Sequence, residues 1–189
     1  KEYVGQVKKL DNYIDQILYY VRSENFEHDF VISEVPLDKV LKNVNLKNKD
    51  DYLENDIHLS VSNVRYSVFS DAKWLEFIIN QLINNSIKYQ RNHVEREIRI
   101  TGEDYPDFFV LSIYDNGIGI PPRDIARVFE KSFTGENGRT HSKSTGMGLY
   151  IAKKLCTKLG HKIEIFSEVN DHTIVKISFA KNHFYQIDD

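Results

Sequence analysis

Gln81-Leu82-Ile83-Asn84-Asn85-Ser86-Ile87-Lys88-Tyr89 combines an apolar helix face with a polar one, and the architecture follows from it. Asn85 follows Gln81 by four, and Lys88 and Tyr89 follow Asn85 by three and four, so the four residues share one helix face. Trp74, Leu75, Ile78, Ile79, Leu82, Ile83 and Ile87 make a broad apolar face on the same helix. Asp71 stands where an N-cap is needed. The helix therefore has one side for a core and one for solvent or a ligand. Three more short blocks follow in order: Asp115-Asn116-Gly117-Ile118-Gly119-Ile120, Phe129-Glu130-Lys131-Ser132-Phe133-Thr134-Gly135, and Thr145-Gly146-Met147-Gly148-Leu149. Each alone is a common pattern. Asn116-Gly117 by itself reads as a hairpin turn, and Gly146-Met147-Gly148 as a chance Gly-x-Gly.

Together the blocks supply complementary chemistry. An Asn amide oxygen on a helix suits Mg2+, which prefers oxygen ligands and keeps several waters. Lys88, beside it, can neutralise phosphate, and Tyr89 can lie against a base. Asp115, at the end of a buried strand, can accept a hydrogen bond from the exocyclic amine of adenine, where guanine offers an acceptor instead. Gly117 and Gly119 let the backbone turn sharply beside a flat ring. Thr145 to Leu149 sits at a loop-to-helix junction, where free N–H groups bind anions. The polar loop before it carries Arg139, Lys143 and Ser144 as phosphate contacts. The pattern predicts an ATP site with a lid joining the third block to the fourth.

The rest of the chain frames that site. The 189 residues suffice for one well-buried domain. Hydrophobic and charged contents of 41% and 28% are ordinary for a globular chain, and a net charge of -3 argues against a nucleic-acid partner. No apolar run approaches the ~20 residues that span a bilayer. Cys156 is the only cysteine, which excludes an intrachain disulfide. Tyr3, Val7, Leu10, Ile14, Ile17 and Val21 form a heptad seam. A lone helix with such a seam needs a partner, and a chain that starts directly in it reads as a piece of a longer protein. Strands are expected over 30–34, 57–62, 66–70, 97–103, 108–114, 163–167 and 173–179, with Asn63-Val64-Arg65 as a hairpin turn. Helices are expected from Pro36 through Val44, from Asp71 to Tyr89, after Pro121-Pro122, and from Gly148 to Leu159, with Gly160 as C-cap. The expected architecture is an α+β two-layer sandwich, a mixed sheet with helices on one face, preceded by one coiled-coil helix.

The four blocks in this order resemble the N, G1, F and G2 boxes of the sensor histidine kinase ATP-binding domain, a member of the superfamily shared with gyrase, Hsp90 and MutL. The resemblance implies the Bergerat ATP-binding fold over 26–189 and a partial dimerisation and phosphotransfer domain over 1–25. Gln16-Ile17-Leu18-Tyr19-Tyr20-Val21-Arg22-Ser23 and Phe133-Thr134-Gly135-Glu136-Asn137-Gly138-Arg139 resemble a narrower group, the intramembrane-sensing kinases of Gram-positive bacteria that respond to bacitracin-like antimicrobial peptides. It implies that Asn85 coordinates Mg2+, Lys88 meets phosphate and Tyr89 the nucleotide. Asp115 would read the adenine amine, with Gly117, Gly119 and Ile120 shaping the base pocket. Phe133 would anchor the lid, and Arg139 with Thr145, Gly146, Met147, Gly148 and Leu149 would clasp the phosphates. ATP and Mg2+ are the implied cofactors. The implied partners are the chain's own dimerisation hairpin in a homodimer, a response regulator, and an ABC transporter. The implied setting is the cytoplasmic portion of a bacterial membrane protein.

Two positions depart from the pattern. Gln81 stands where hydrolytic members place a glutamate base, and an amide cannot take a proton from water at neutral pH. That favours phosphoryl transfer over the alternative, a chaperone- or clamp-type ATPase. Ser132 replaces a glycine expected before Phe133. The family's phospho-acceptor histidine is followed by an acidic residue, a basic residue and a proline, and no such string occurs here. His28-Asp29-Phe30 lacks the last two, and His58, His93, His141, His161, His172 and His183 read as ordinary strand or loop residues.

Overall fold

The structure is a computed structural model that describes residues 30–135 and 145–181. The heptad seam, His28, Arg139, Lys143 and Ser144 lie outside the described residues. The elements run β1 (Ser33–Pro36), α1 (Leu37–Lys47), α2 (Lys49–Glu54), β2 (Ile57–Ser62), β3 (Ser67–Ser70), α3 (Ala72–Lys88), β4 (Arg96–Asp104) and β5 (Phe108–Asp115). They continue with α4 (Pro122–Ile125), α5 (Gly148–Lys158), β6 (Lys162–Glu168) and β7 (His172–Ala180). Five strands form one mixed sheet in the order β2-β4-β5-β7-β6, in which only the β2–β4 pair is parallel.

Period-2 alternation sends one row of each strand toward the helices. Ile98 and Ile100 of β4, Phe109, Leu111 and Ile113 of β5, and Val175, Ile177 and Phe179 of β7 are all buried in one core. Leu75, Ile78, Ile79, Leu82 and Ile83 of α3 and Ile151, Ala152 and Leu155 of α5 close it from above. α3 packs against both α1 and α5. Its start is fixed by Asp71, whose carboxylate accepts from the Lys73 and Trp74 N–H groups at 3.0 and 3.1 Å and from the Val31 N–H at 2.8 Å. α5 ends in a Schellman arrangement: the Gly160 N–H reaches the Thr157 carbonyl and the His161 N–H reaches that of Cys156.

The α+β sandwich and its helix-covered mixed sheet are as expected. Two local expectations fail, and one helix is unanticipated. Residues 63–65 do not close a hairpin, because β2 runs parallel to β4 while β3 pairs antiparallel with β1. The first strand begins at Ser33, not Phe30. The helix α2 carries one buried residue, Tyr52, and so has no readable period.

His161 is also more than an ordinary loop residue. It is buried, with Nε2 2.8 Å from the Ser70 hydroxyl, and burial lowers its pKa to about 4. The folded state therefore prefers the neutral ring. Its contribution is fully present above the unfolded value near 6.5 and is lost as pH falls toward 4. The loss amounts to about 3 kcal/mol at most. Chemical denaturation of wild type and His161→Gln between pH 4 and 7 checks this, and the variant should show the shallower decline.

Candidate functional site

The site forms where the inward row of the sheet runs out of apolar residues. Asp115 occupies the next inward position after Ile113, opposite Ile98 on β4 and Thr173 on β7, and Thr173 in turn faces Ser167 on β6. Asp115, Thr173 and Ser167 thus form a polar row at the sheet end, under the C-terminal part of α3. The Asp115 carboxylate is buried at 6% exposure. Oδ2 accepts from the Ser86 hydroxyl at 2.8 Å and Oδ1 from the Gly117 N–H at 3.1 Å. Burial pushes the carboxyl up to about 6, against the opposing pull of the Ser86 and Gly117 hydrogen bonds and the nearby His172. At neutral pH it is an ionised acceptor with lone pairs to spare.

The loop after Asp115 is stapled on both sides. The Ile118 N–H donates to the Tyr89 carbonyl at 3.0 Å, which ties the loop to the end of α3. Gly117 is required here, since a Cβ would lie 2.3 Å from that same carbonyl oxygen. On the other side the Asn170 N–H reaches the Ile118 carbonyl, and the Ile120 N–H reaches the Ser167 hydroxyl at 2.9 Å. Asn116 holds the start of β4, accepting from the Glu97 N–H at 2.8 Å and donating to the Glu95 carbonyl at 2.7 Å. Tyr89, Gly117, Gly119, Ile120 and Asp115 are therefore brought together. Asn85 lies one position before Ser86 and is half-buried, while Lys88 is exposed with Nζ 5.3 Å from the Tyr89 ring centre. Gln81, expected on the polar face, is buried at 6% exposure.

A second cluster joins the third and fourth blocks. Gly146 has φ +65°, and a Cβ there would lie 2.5–2.7 Å from the Ser132–Phe133 backbone. The two ends of the 133–146 segment meet at this contact. The Met147 N–H lies 3.3 Å from the Thr145 hydroxyl, and α5 starts with no side-chain cap. The first-turn N–H groups, those of Gly148 and Leu149 among them, have no acceptor within the helix itself. Phe133 is held by the Arg127 guanidinium, 4.5 Å from its ring centre, and Arg127 is itself paired to Glu130 at 2.9 Å. The packing of α3 on α5 holds the two clusters side by side.

The glycine expected at position 132 has a structural reason. Ser132 sits at φ +60°, in the left-handed region that costs a side-chain-bearing residue about 1 kcal/mol or more. Ser132→Gly should therefore raise stability by about 0.5–1 kcal/mol, less whatever the freer unfolded chain takes back. Thermal melts check it, and a clear loss would mean the hydroxyl contact to the Met147 sulfur, at 3.8 Å, matters more than the backbone.

Sequence reasoning assigned no role to Ser86, Ser167 or Thr173. Ser86 lay inside a quoted block, but its partner is 29 residues away. Ser167 and Thr173 reach the site through strand register, which the register of Asp115 would have predicted.

The family model for histidine kinase-, DNA gyrase B- and HSP90-like ATPases matches residues 70–183. The sensor histidine kinase YxdK of Bacillus subtilis strain 168 is 35% identical over 176 residues, covering 92% of this chain and 54% of its own length. The sensor protein BceS of the same strain is 32% identical, with 92% and 52% covered. The chain spans about half the length of these curated relatives. A crystal structure of full-length ShkA with AMPPNP superposes with a TM-score of 0.75 at 19% identity, over 96% of this chain and 39% of that one, and shows the same fold.

Proposed function

The chain belongs to the histidine kinase-, DNA gyrase B- and HSP90-like ATPase family, with a histidine kinase ATPase catalytic domain, and from that premise we propose how it works. It transfers the γ-phosphate of Mg-ATP to a histidine on a dimerisation domain, for relay to a response regulator. The observation that carries this reading is the buried Asp115 carboxylate, fixed by Ser86 and Gly117 beside the helix that bears Asn85.

The residues present fit the nucleotide and its ion. Asp115 accepts from the adenine amine, with Gly117, Gly119 and Ile120 beneath the base. Asn85 offers a neutral oxygen to Mg2+, and Lys88 adds charge at the phosphates. The uncapped start of α5, from Gly148, receives phosphate oxygens, with Thr145, Gly146 and Met147 forming the turn and Phe133 anchoring the lid. Arg139 adds a guanidinium from that lid. Bound Mg2+ supplies charge neutralisation for the transferring phosphoryl group. The chain's residues position the group and shield it from water. Gln81, a buried amide, leaves no base at the position hydrolytic members use, which favours a histidine over water as acceptor.

The wider setting belongs to the same proposal. Residues 1–25 supply one helix of the dimerisation bundle of a homodimer, and 26–189 the catalytic domain. Among the described residues no helix is long and apolar enough to cross a membrane. We assign the chain to the cytoplasmic portion of a membrane-bound kinase of the antimicrobial-peptide group, acting with an ABC transporter. The test is phosphotransfer from labelled ATP to a separately supplied dimerisation domain. His28→Ala should leave it intact. Sustained phosphate release without transfer would replace the kinase with a hydrolytic ATPase.

A further inference from the structure

We propose that Ser86 is the positioning residue that holds the Asp115 carboxylate as a hydrogen-bond acceptor and so sets the choice of base, an inference that rests on the nucleotide reading above. A serine within a helix ordinarily bonds back to its own turn or points to solvent. Ser86 does neither: its hydroxyl crosses to Asp115 Oδ2 at 2.8 Å, and the residue is 5% exposed. Alanine would suit the helix better by intrinsic propensity, so the hydroxyl stands there at a local cost.

The geometry explains what it gains. The Ser86 hydroxyl and the Gly117 N–H engage different oxygens, which fixes the carboxylate plane. An ionised carboxylate has about four acceptor positions, so room remains for an incoming amine. Without the hydroxyl, Oδ2 would be buried with one donor fewer and the group would take up a proton more readily. A protonated carboxyl presents an O–H, which repels the adenine amine and suits the guanine carbonyl.

Among the described residues, the groups facing Asp115 are these. Opposite Asp115 stand Ile98 on β4 and Thr173 on β7. Lys88 and Tyr89, at the end of α3, lie against each other. Among the described residues the titratable side chain that bears on the carboxyl is His172, whose Nδ1 lies 2.7 Å from Asp171.

Calorimetric titration with Mg-ADP and Mg-GDP from pH 5 to 8 tests the proposal. Wild-type affinity for ADP should fall as pH drops through about 6. In Ser86→Ala the fall should come about one pH unit higher, with ADP bound about 3- to 10-fold more weakly at pH 7 and the preference over GDP reduced. Ser86→Cys, similar in size and a weaker donor, should lie between and serves if the alanine variant fails to fold. Asp115→Asn supplies the baseline, since its profile carries only the titration of the phosphates. The Ser86→Ala displacement should persist in a His172→Gln background. A midpoint unmoved in folded Ser86→Ala, or a displacement that vanishes with His172, overturns the role of Ser86 alone. A wild-type profile identical to that of Asp115→Asn overturns the base-reading role of Asp115 and this inference with it.

Discussion

Asp115→Asn should bind ADP about 10- to 100-fold more weakly than wild type at pH 7.5 and yet melt no earlier. The first effect follows from replacing an acceptor by a donor at one carboxylate oxygen, which leaves a buried polar group mismatched at a cost of about 1–3 kcal/mol. The second follows from the charge. Burial raises the Asp115 carboxyl from 3.8 to about 6, so the folded state prefers it protonated. That preference contributes stability below pH 3.8, and the contribution is lost as pH rises through 6. At neutral pH the ionised group therefore costs the empty fold up to about 3 kcal/mol, which the amide does not. The Ser86 hydroxyl can accept from the new amide, and the Gly117 N–H keeps its acceptor. Calorimetry and thermal melts at one pH decide the matter. Unchanged ADP affinity would remove Asp115 from the base pocket.

Asn85→Ala should reduce phosphotransfer by a factor on the order of 10²–10³ or more, the scale seen when one electrostatic contact to a transition state is removed. Folding should be unaffected, because Asn85 is half-buried and alanine is the better helix former. The variant should bind adenosine as wild type does and lose its added affinity for Mg-ADP. That split separates an ion ligand from a wall of the base pocket. Equal loss for both ligands would mean that Asn85 shapes the pocket rather than holding Mg2+.

The parts of the molecule legible in the chain were those written locally. The alternating runs of β4 and β7, the short, mostly apolar run of β5 and the broad apolar face of α3 declare themselves locally, and Asp71 declares the helix start. The blocks around Asn85, Asp115 and Gly146 are contiguous, so a reader meets each whole. What was missed depends on pairing at a distance. The four residues between β2 and β3, 63–66, are as compatible with a hairpin as with a crossing, and only the parallel register of β2 on β4 decides. The chain leaves β2 over Gly102, where a Cβ would lie 2.1 Å from the Asn63 carbonyl, a contact no local pattern announces. The same holds at the site. Asp115 was visible as a carboxylate at a strand end, but its donor Ser86 and the row through Thr173 and Ser167 exist only once the sheet is assembled. Ser132 was the reverse case: its oddity was visible locally, and its left-handed backbone supplies the reason.

The most direct measurement is a crystal structure of this chain grown with Mg2+ and a non-hydrolysable ATP analogue. The adenine amine should lie within hydrogen-bond distance of the Asp115 carboxylate and the ion on the Asn85 amide oxygen, at opposite ends of one ligand. A nucleotide bound elsewhere, or these two side chains facing separate cavities, would contradict that placement.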